Sequence, residues 1–281
     1  MSLIPDFFKH ATVAFGLRNT STGDVHWLAT GFFVGVPMKE ESGKYSTFLV
    51  TNRHVIEGLT ANDFLMSLNP TDGAPAEEVS LFVQDQATGL ALWEFHPNPA
   101  VDVAVTSLAL GHPGLERFTR NFFELDHHAI DCRNLASNGL TEGSRVSVLG
   151  FPMQIVGVSR RSVVVRTGAI AQLDDFLAGR SPSYLIDCAT FPGNSGGPVI
   201  NLPEASFLAG SAAPSSVNLI GITAQSLLYL DQAISMQTGQ VRLVSENNSG
   251  LSVVFSVDAI RETIVALVAR LARQDPGPPT P

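Results

Sequence analysis

The stretch Phe191-Pro192-Gly193-Asn194-Ser195-Gly196-Gly197-Pro198 places one serine between glycines on both sides. A nucleophilic serine needs a tight turn that leaves its hydroxyl open to approach, and glycine permits such a turn. Glycine also lets backbone N–H groups point into one concavity, as the stabilisation of an oxyanion requires. An ordinary glycine-rich turn is the alternative for a bare Gly-x-Ser-x-Gly pattern. The full string is far more specific, and it predicts that Ser195 is a nucleophile.

A serine nucleophile needs a base, and the chain has seven histidines that could act as one. They are His10, His26, His54, His96, His112, His127 and His128. Gly193 to Gly197 also fits the nucleophile elbow of α/β-hydrolases, in which the histidine follows the serine. No histidine follows Ser195, so the order of residues excludes that fold.

His54 has the most favourable setting of the seven. It follows the apolar run Thr47-Phe-Leu-Val-Thr-Asn-Arg, so it stands at the end of a predicted buried strand, where it is held rigidly and can face a cleft. The pair His127 and His128 is the alternative, and a solvated surface pair is the default for its polar segment. A metal site there would need further ligands that the sequence does not identify.

Asp102 is the predicted carboxylate partner of the histidine. It enters the apolar run Val101-Asp-Val-Ala-Val105. Burying a carboxylate costs free energy unless a partner uses it. A turn aspartate that only caps the strand is the alternative for this residue taken alone.

Short apolar or alternating runs bounded by turn residues predict two series of β-strands. The first series is Thr12–Leu17, Trp27–Val36, Tyr45–Thr51, Val79–Gln84, Leu90–Phe95 and Val101–Thr106. The second is Arg145–Gly150, Ser162–Ala171, Ser183–Asp187, Pro198–Asn201, Leu219–Ala224, Gln240–Val244 and Leu251–Ser256. Gly111 to Gly143 is poorer in strand signal and is interpreted as their connection. From Val257 the apolar residues recur at helical spacing, which predicts a C-terminal helix packed on the second series.

The composition agrees with an all-β protein and excludes some functions. Charged residues make up only 15%, whereas 24 Gly and 17 Pro punctuate the chain. The formal net charge is −9 and no basic run occurs, so nucleic acid is not an expected partner. No signal peptide or membrane-spanning stretch is visible, so we expect a cytoplasmic protein without a membrane partner. The two cysteines, Cys132 and Cys188, are as consistent with free thiols as with a disulfide.

Three motifs in this order resemble the trypsin-like serine peptidases. Thr51-Asn-Arg-His-Val55 is similar to their histidine motif, Asp102-Val-Ala-Val to their aspartate motif, and Leu185 to Pro198 to their serine motif. The likeness is closest to the bacterial branch that includes the Deg-type proteases. Weaker similarities extend it over roughly residues 10 to 265.

The resemblance implies a fold of two six-stranded antiparallel β-barrels with the active site in the cleft between them. It also implies that Ser195 attacks a peptide carbonyl, that His54 is the general base, and that Asp102 orients the histidine. The N–H groups of Gly193 and Ser195 would form the oxyanion hole. The mechanism requires neither a metal nor an organic cofactor, and the expected partner is a protein or peptide substrate.

Two departures from relatives sharpen these expectations. Relatives that are activated by cleavage carry an aspartate at the position of Asn194, which pairs with a newly freed α-ammonium. Asn194 has no charge, so we expect activity without N-terminal processing. The family places Ala189 at the floor of the primary pocket with Thr190 beside it, which disfavours cleavage after Arg or Lys and favours small or medium apolar residues. The edge strand Ala224, Gln225 and Ser226 should pair with the substrate backbone.

The predicted organisation has five parts. Residues 1–115 form an N-terminal barrel with His54 and Asp102, and 116–142 connect it to a second barrel. Residues 143–256 form that barrel with Ser195, 257–274 form the C-terminal helix, and 275–281 form a flexible tail. This organisation leaves no room for the peptide-binding PDZ module of many Deg-type enzymes.

Two other functions stay open at this point, and an esterase or other acyl-transfer role with the same machinery is a minor further option. A catalytically silent trypsin-like binding or scaffold module is one, although it would not need an intact set of catalytic residues. A protease that an activating protein partner switches on is the other. The predicted loops Leu173–Pro182 and Leu227–Gln240 are long enough to gate the cleft.

Overall fold

The computed structural model describes residues 3–39, 41, 43–59, 63–70, 72–108, 121–204 and 213–274. His112, the predicted tail 275–281 and part of the predicted connection lie outside the described residues.

The first half of the chain forms one mixed sheet. Its strands are β1 (Thr12–Arg18), β2 (Val25–Pro37), β3 (Tyr45–Thr51), β4 (Asp63–Leu68), β5 (Glu77–Phe82), β6 (Trp93–Phe95), β7 (Ala104–Ser107) and β8 (Phe123–Glu124). The order across the sheet is β5-β4-β1-β2-β3-β7-β6, and β8 pairs in parallel with β2. The two edges meet beyond β5 and β6, where an isolated bridge joins Gln84 to Ala91 and Leu92 donates to the carbonyl of Val83 at 2.9 Å. The sheet is therefore strongly curled, but the edge strands β5 and β6 do not pair with each other, so it forms a half-barrel and not a closed barrel.

The second half forms a closed barrel of six antiparallel strands. They are β9 (Arg145–Gly150), β10 (Val164–Gln172), β11 (Ser183–Asp187), β12 (Pro198–Asn201), β13 (Leu219–Ile234) and β14 (Val241–Ser256). Closure pairs every strand of the barrel with two neighbours and leaves it without an edge. The predicted all-β fold class is confirmed in this arrangement of barrel, curled sheet and C-terminal helix.

Two parts of the sheets differ from the sequence-based expectation. Strand β4 was not predicted, because Asp63–Leu68 contains no β-branched residue. The expected loop Leu227–Gln240 is wrong over most of its length, since β13 continues to Ile234 and β14 begins at Val241. The two strands pair with each other through this region, and that pairing replaces the loop. The other expected loop, Leu173–Pro182, contains one helical turn, α3 (Asp174–Leu177).

The remaining helices are α1 (Asp6–His10), α2 (Arg53–Glu57) and α4 (Val257–Gln274), and single 3₁₀ turns occur at Cys132–Asn134, Ala136–Asn138 and Pro152–Gln154. The C-terminal helix α4 contacts β6 and β7 as well as β13 and β14, so it packs on both halves rather than on the second barrel alone. Its polar contacts also reach the first half: Glu262 bonds to His96 at 2.9 Å, and Arg270 pairs with Glu94. Among the described residues, no helix is long and apolar enough to cross a membrane.

The apolar face of α4 should contribute directly to stability. Leu267 is fully buried in the core cluster that joins the helix to both halves, whereas the neighbouring Val268 is about half exposed. We expect Leu267→Ala to lower the free energy of unfolding by about 2–5 kcal/mol through lost burial and the cavity left behind. Val268→Ala is the control and should change it by less than about 0.5 kcal/mol. Urea unfolding measures both, and equal effects of the two variants would contradict this packing.

Candidate active site

His54 and Asp102 meet at the edge of the N-terminal sheet. Strand β3 ends at Thr51, and the short helix α2 that follows carries His54. Asp102 lies between the buried residues Val101 and Val103, just before β7. The backbone N–H of His54 donates to Asp102 Oδ1 at 2.9 Å, and its ring Nδ1 lies 2.5 Å from Asp102 Oδ2. A carboxylate only accepts hydrogen bonds, so Nδ1 donates to Asp102, and in the neutral form of the ring Nε2 then presents its lone pair.

The neighbours of His54 hold this pair in place. Asn52 is fully buried, and its Nδ2 donates to the backbone carbonyl of Asp102 at 2.7 Å. Arg53 pairs with Glu57 one turn along α2 at 2.7 Å, and its guanidinium lies 5.0 Å from the ring centre of Phe95. The helix is therefore tied both to the aspartate segment and to strand β6.

The turn around Ser195 leaves two N–H groups open. No described residue accepts a hydrogen bond from the N–H of Gly193 or of Ser195. The N–H of Gly193 shares a peptide plane with the carbonyl of Pro192, and this carbonyl accepts the N–H of Met153 at 2.8 Å. The N–H of Ser195 shares a peptide plane with the carbonyl of Asn194, and this carbonyl accepts the N–H of Gly197 at 2.8 Å. Because N–H and C=O point oppositely across a planar trans peptide, these bonds fix the direction of both free N–H groups.

Two glycines of this turn cannot be replaced without strain. Gly193 has φ +99°, and a Cβ there would lie 2.4 Å from the carbonyl oxygen of Phe151. Gly196 has φ +84°, and a Cβ there would lie 2.1 Å from the carbonyl oxygen of Thr30. The glycines that flank the serine thus serve both the backbone conformation and close packing against neighbouring backbone.

Thr30, which the sequence analysis missed, links the turn to the other half of the molecule. It is fully buried in β2, and its N–H donates to the carbonyl of Ser195 at 2.9 Å. Its hydroxyl donates to the carbonyl of Gly193 at 2.6 Å and accepts the N–H of Phe151 at 3.1 Å. The only local signal was a threonine within an otherwise apolar run, which is ordinary in a strand.

Met153 is a second missed residue. It adopts φ 52° and ψ 34°, the left-handed region that costs free energy for a residue other than glycine. Its N–H makes the bond to Pro192 that directs the Gly193 N–H. Strained backbone of this kind often marks a functional site.

One cleft of about 1070 Å³ brings most of the predicted residues together. The predicted site residues that line it are His54, Asp102, Ser195, Gly193, Thr190, Ala224, Gln225 and Ser226. Ala189, the expected pocket floor, is half-buried and does not line the cleft. The cleft also contains Glu246 and Asn248 of β14, for which the sequence offered no signal because the long strand had not been foreseen.

Two residues that line the cleft, Thr190 and Ser226, belong to a cluster of hydroxyl groups with the buried Ser252. The Thr190 hydroxyl lies 2.8 Å from that of Ser226 and 2.7 Å from that of Ser252. Ser226 donates to the carbonyl of Thr190, and Asn248 Nδ2 donates to the same oxygen at 2.7 Å. Ser252 donates to the carbonyl of Cys188 at 2.8 Å, so the hydroxyl protons of both serines are used by backbone carbonyls.

The hydroxyl of Ser195 bonds to the edge strand in this structure. Its Oγ donates to the backbone carbonyl of Ala224 at 3.1 Å, and no hydrogen bond to His54 is formed between these two described residues. Ser195 is half-buried, and a change in its side-chain torsion would be needed to direct the hydroxyl to the histidine.

The alternative histidine pair lies outside the cleft. His127 is largely exposed and lies 3.4 Å from Asp126, whereas His128 accepts the N–H of Glu124 through Nδ1 at 3.1 Å. Burial lowers the pKa of His128 from its ordinary value. Glu124, Asp126 and His127 bring ligand atoms within 4.8 Å of one another, an exposed grouping that proteins without metals also have.

Loss of the Thr30 hydroxyl should disturb the nucleophile turn. Thr30→Val leaves the carbonyl of Gly193 and the N–H of Phe151 buried without their partner. Direct loss of one oxyanion donor costs about 10²–10³ in rate, and a group one bond further away should cost on the order of tenfold. The measurement is the rate at which a fluorophosphonate modifies Ser195. Thr30→Ser should restore the rate.

Thr106→Val is the matched control for this variant. It removes another fully buried hydroxyl, which donates to the carbonyl of Leu92 at 2.8 Å within the N-terminal sheet. We expect it to affect stability but not labelling. An unchanged rate in Thr30→Val would contradict the positioning role of Thr30.

Comparison with known proteins agrees with this architecture. A family model for the trypsin-like peptidase domain matches residues 29–209, which span both halves of the molecule and include His54, Asp102 and Ser195. A search of curated proteins found no match for the chain. Because the matched segment covers well over half of the sequence, the chain belongs to the trypsin-like peptidase family.

Proposed function

We propose that the protein is a serine endopeptidase in which Ser195 is the nucleophile, His54 the general base and Asp102 the carboxylate that orients it. The observation that carries the proposal is the pair of hydrogen bonds from His54 to Asp102 in the same cleft as Ser195. In that cleft the N–H groups of Gly193 and Ser195 lack an acceptor among the described residues. A histidine held in one tautomer beside a serine is the arrangement that activates a hydroxyl.

The chemistry follows from these groups. Ser195 Oγ attacks the peptide carbonyl carbon while His54 Nε2 takes the hydroxyl proton, and the N–H groups of Gly193 and Ser195 bind the resulting oxyanion. The intermediate collapses, the C–N bond breaks, and the imidazolium gives its proton to the leaving amine. Water then attacks the acyl-enzyme with His54 again as base, which releases the acid and restores the serine. Throughout, the Asp102 carboxylate stabilises the imidazolium.

Substrate binding prepares the nucleophile in this proposal. The carbonyl of Ala224 is the first acceptor of the edge strand Ala224–Ser226, and it now accepts the Ser195 hydroxyl. A substrate N–H that pairs with this carbonyl competes with the hydroxyl for it. The displaced hydroxyl is then available to His54, so that backbone pairing and activation are coupled.

The primary pocket should accept a small or medium uncharged side chain. The Thr190 hydroxyl bonds to those of Ser226 and Ser252, and none of these three neutral groups offers a charge to an incoming Arg or Lys. Glu246 also lines the cleft and lies on β14 two residues before Asn248, whose side chain donates to the carbonyl of Thr190. We therefore expect the protein to cleave after uncharged residues in preference to basic ones.

The nucleophile turn does not depend on an ion pair, which supports activity without zymogen cleavage. Asn194 is almost fully buried, and its Oδ1 accepts the N–H of Phe191 at 3.1 Å. The backbone N–H of Asn194 donates to the carbonyl of Phe191 at 2.9 Å. These neutral bonds occupy the place where activated relatives use an aspartate and a terminal ammonium.

The remaining parts of the proposal concern kinship and location. We propose a relationship to the Deg-type branch on the three motifs, protein or peptide substrates rather than nucleic acid or membranes as partners, and a reducing compartment such as the cytoplasm. Both cysteines are free thiols, and burial raises the pKa of Cys188, so this thiol stays protonated and unreactive.

A silent binding module is the second candidate function. The bond of Ser195 to Ala224 instead of His54 favours it, because a module without catalysis has no need of the serine–histidine contact. A protease that a protein partner activates would show the same resting contact.

Reaction with a fluorophosphonate distinguishes these functions. We expect the intact mass of the wild-type protein to increase by one phosphonyl group, because the activated Ser195 hydroxyl attacks phosphorus. Ser195→Ala should abolish the increase and His54→Ala should slow it. Ser137→Ala, which removes an exposed serine away from the cleft, is the control and should label normally.

Absence of labelling in the wild-type protein would favour the silent module, and labelling only after a partner is added would favour the regulated protease. A digest of a peptide library then tests the pocket, since cleavage mainly after Arg or Lys would contradict its predicted preference.

Processing at the N-terminus should not activate the protein. Because neutral bonds hold the Asn194 turn, the uncut chain and a chain that begins at Ile4 should label at the same rate. The variant keeps Ile4 and Phe8, which are buried in the core. A large gain in labelling rate on trimming would show that a new terminus is needed.

A further inference from the structure

Strands β13 and β14 extend beyond the barrel as a two-stranded ribbon, which we define as residues 227–234 and 241–249 with the turn between them. In the barrel, β13 also pairs with β12 up to Ile222, and β14 also pairs with β11 from Leu251 to Phe255. Beyond these points the two strands pair only with each other among the described residues, from Leu228 with Asn248 to Ile234 with Val241.

One face of the ribbon continues the wall of the cleft. Leu228, Glu246 and Asn248 line the cleft, and the cross-strand pairs Leu228 with Asn248 and Leu230 with Glu246 place them on one face. Paired residues share a face and alternate residues along a strand return to it, so the next pair, Gln232 with Val244, belongs to this cleft face as well. Its apolar members are exposed: Leu228 at 55%, Leu230 at 59% and Val244 at 49%.

The free edge of the ribbon begins at the nucleophile. From Ala224 to Ile234, no backbone group of β13 bonds to a described strand other than β14. The Ser195 hydroxyl marks the start of this edge through its bond to Ala224. An exposed strand edge of this length is a template for a further strand, and natural proteins normally shield such edges.

We propose that the ribbon binds the part of a polypeptide substrate that precedes the cleaved bond, which adds to β13 as an antiparallel strand. The inference rests on the proposed peptidase function and names its substrate class: an extended chain with apolar side chains at alternate positions upstream of the cut. Those side chains pack on Leu228 and Leu230 of the adjacent strand, and the carboxylate of Glu246 disfavours acidic residues on this face. Continuity between the cleft and the cleft face identifies the substrate as the occupant.

The ribbon sets the length of chain that is recognised. Ala224–Ser226 accounts for the three residues next to the cut, and residues 227–234 add a further eight positions. At about 3.3 Å per residue, the added edge spans roughly 25 Å. A folded surface loop does not supply so long an extended segment, so the preferred substrates are unfolded or flexible chains.

Binding to the Ser195→Ala protein tests the proposal without requiring catalysis. Fluorescence anisotropy compares two labelled peptides, one with three residues before the cleaved bond and one with eleven, of which alternate ones are Leu. We expect the longer peptide to bind on the order of tenfold more tightly, because it buries additional apolar surface on the ribbon. Leu228→Ser with Leu230→Ser should remove most of this gain.

Tyr229→Ser with Leu243→Ser is the matched control. These residues are about as exposed, at 51% and 62%, but lie on the opposite face of the ribbon. The control should keep the gain in affinity with length. Equal loss in both double variants, or equal affinity of the two peptides for the unaltered ribbon, would overturn the proposal.

N-methylated peptides test the strand pairing on unaltered ribbon residues. A methyl group on an amide that pairs with β13 removes a hydrogen bond, so affinity should fall at alternate positions upstream of the cut. Uniform sensitivity would overturn the pairing. Sedimentation is a further check, since a dimer that Leu228→Ser with Leu230→Ser dissociates would identify a second copy as the occupant and overturn the proposal.

Fluorophosphonate labelling of the wild-type protein separates this proposal from the proposed function. Labelling without length-dependent binding contradicts the ribbon alone. Length-dependent binding without labelling would support the ribbon as a peptide-binding surface but would contradict the proposed peptidase function.

Discussion

The hydrogen bonds of Thr30 across the interface between the two halves are the constraint on which the nucleophile turn depends. Thr30 belongs to the N-terminal sheet, yet its N–H and hydroxyl end on the carbonyls of Ser195 and Gly193. The Ser195 carbonyl shares a peptide plane with the N–H of Gly196, which donates to the carbonyl of Thr223. The Gly193 carbonyl shares a plane with the N–H of Asn194, which donates to the carbonyl of Phe191. Both planes are therefore held from two sides. The serine turn therefore has its shape only where the two halves are packed together.

The division of the site between the halves links stability to chemistry. His54 and Asp102 come from the N-terminal sheet and Ser195 from the barrel, so in the proposed mechanism a small displacement between the halves changes the distance on which proton transfer depends. Helix α4 opposes such a displacement because it packs on both. Its side chain Arg270 reaches Glu94 and the carbonyl of Ala91, which lie in the first half, although the helix follows the barrel in the chain. Residues far from the cleft can thus influence the site by holding the halves together.

The features that could be predicted from the sequence are those that depend on residues close together in the chain. Strand alternation and the helical spacing after Val257 indicated the fold class, and the motifs around His54, Asp102 and Ser195 indicated residues that the cleft brings together. Thr30 and Met153 could not be predicted, because their roles are backbone contacts with a segment distant in sequence. The ribbon was taken for a loop because polar residues such as Asp231, Gln232 and Asn247 interrupt its alternation, whereas cross-strand pairing decides its conformation.

In our proposals the edge of β13 joins substrate recognition to catalysis in one continuous structure. A ribbon with exposed leucines and an edge that pairs with no other strand in the described part of the chain is a liability for a protein unless a chain of suitable chemistry occupies it. In our proposal the occupant also reaches Ala224, whose carbonyl accepts the serine hydroxyl. A chain that pairs along the ribbon is brought into register with this carbonyl, so binding energy gained far from the cut is available to release the nucleophile. A short peptide lacks that energy, and the structure thereby offers a physical basis for discrimination by length.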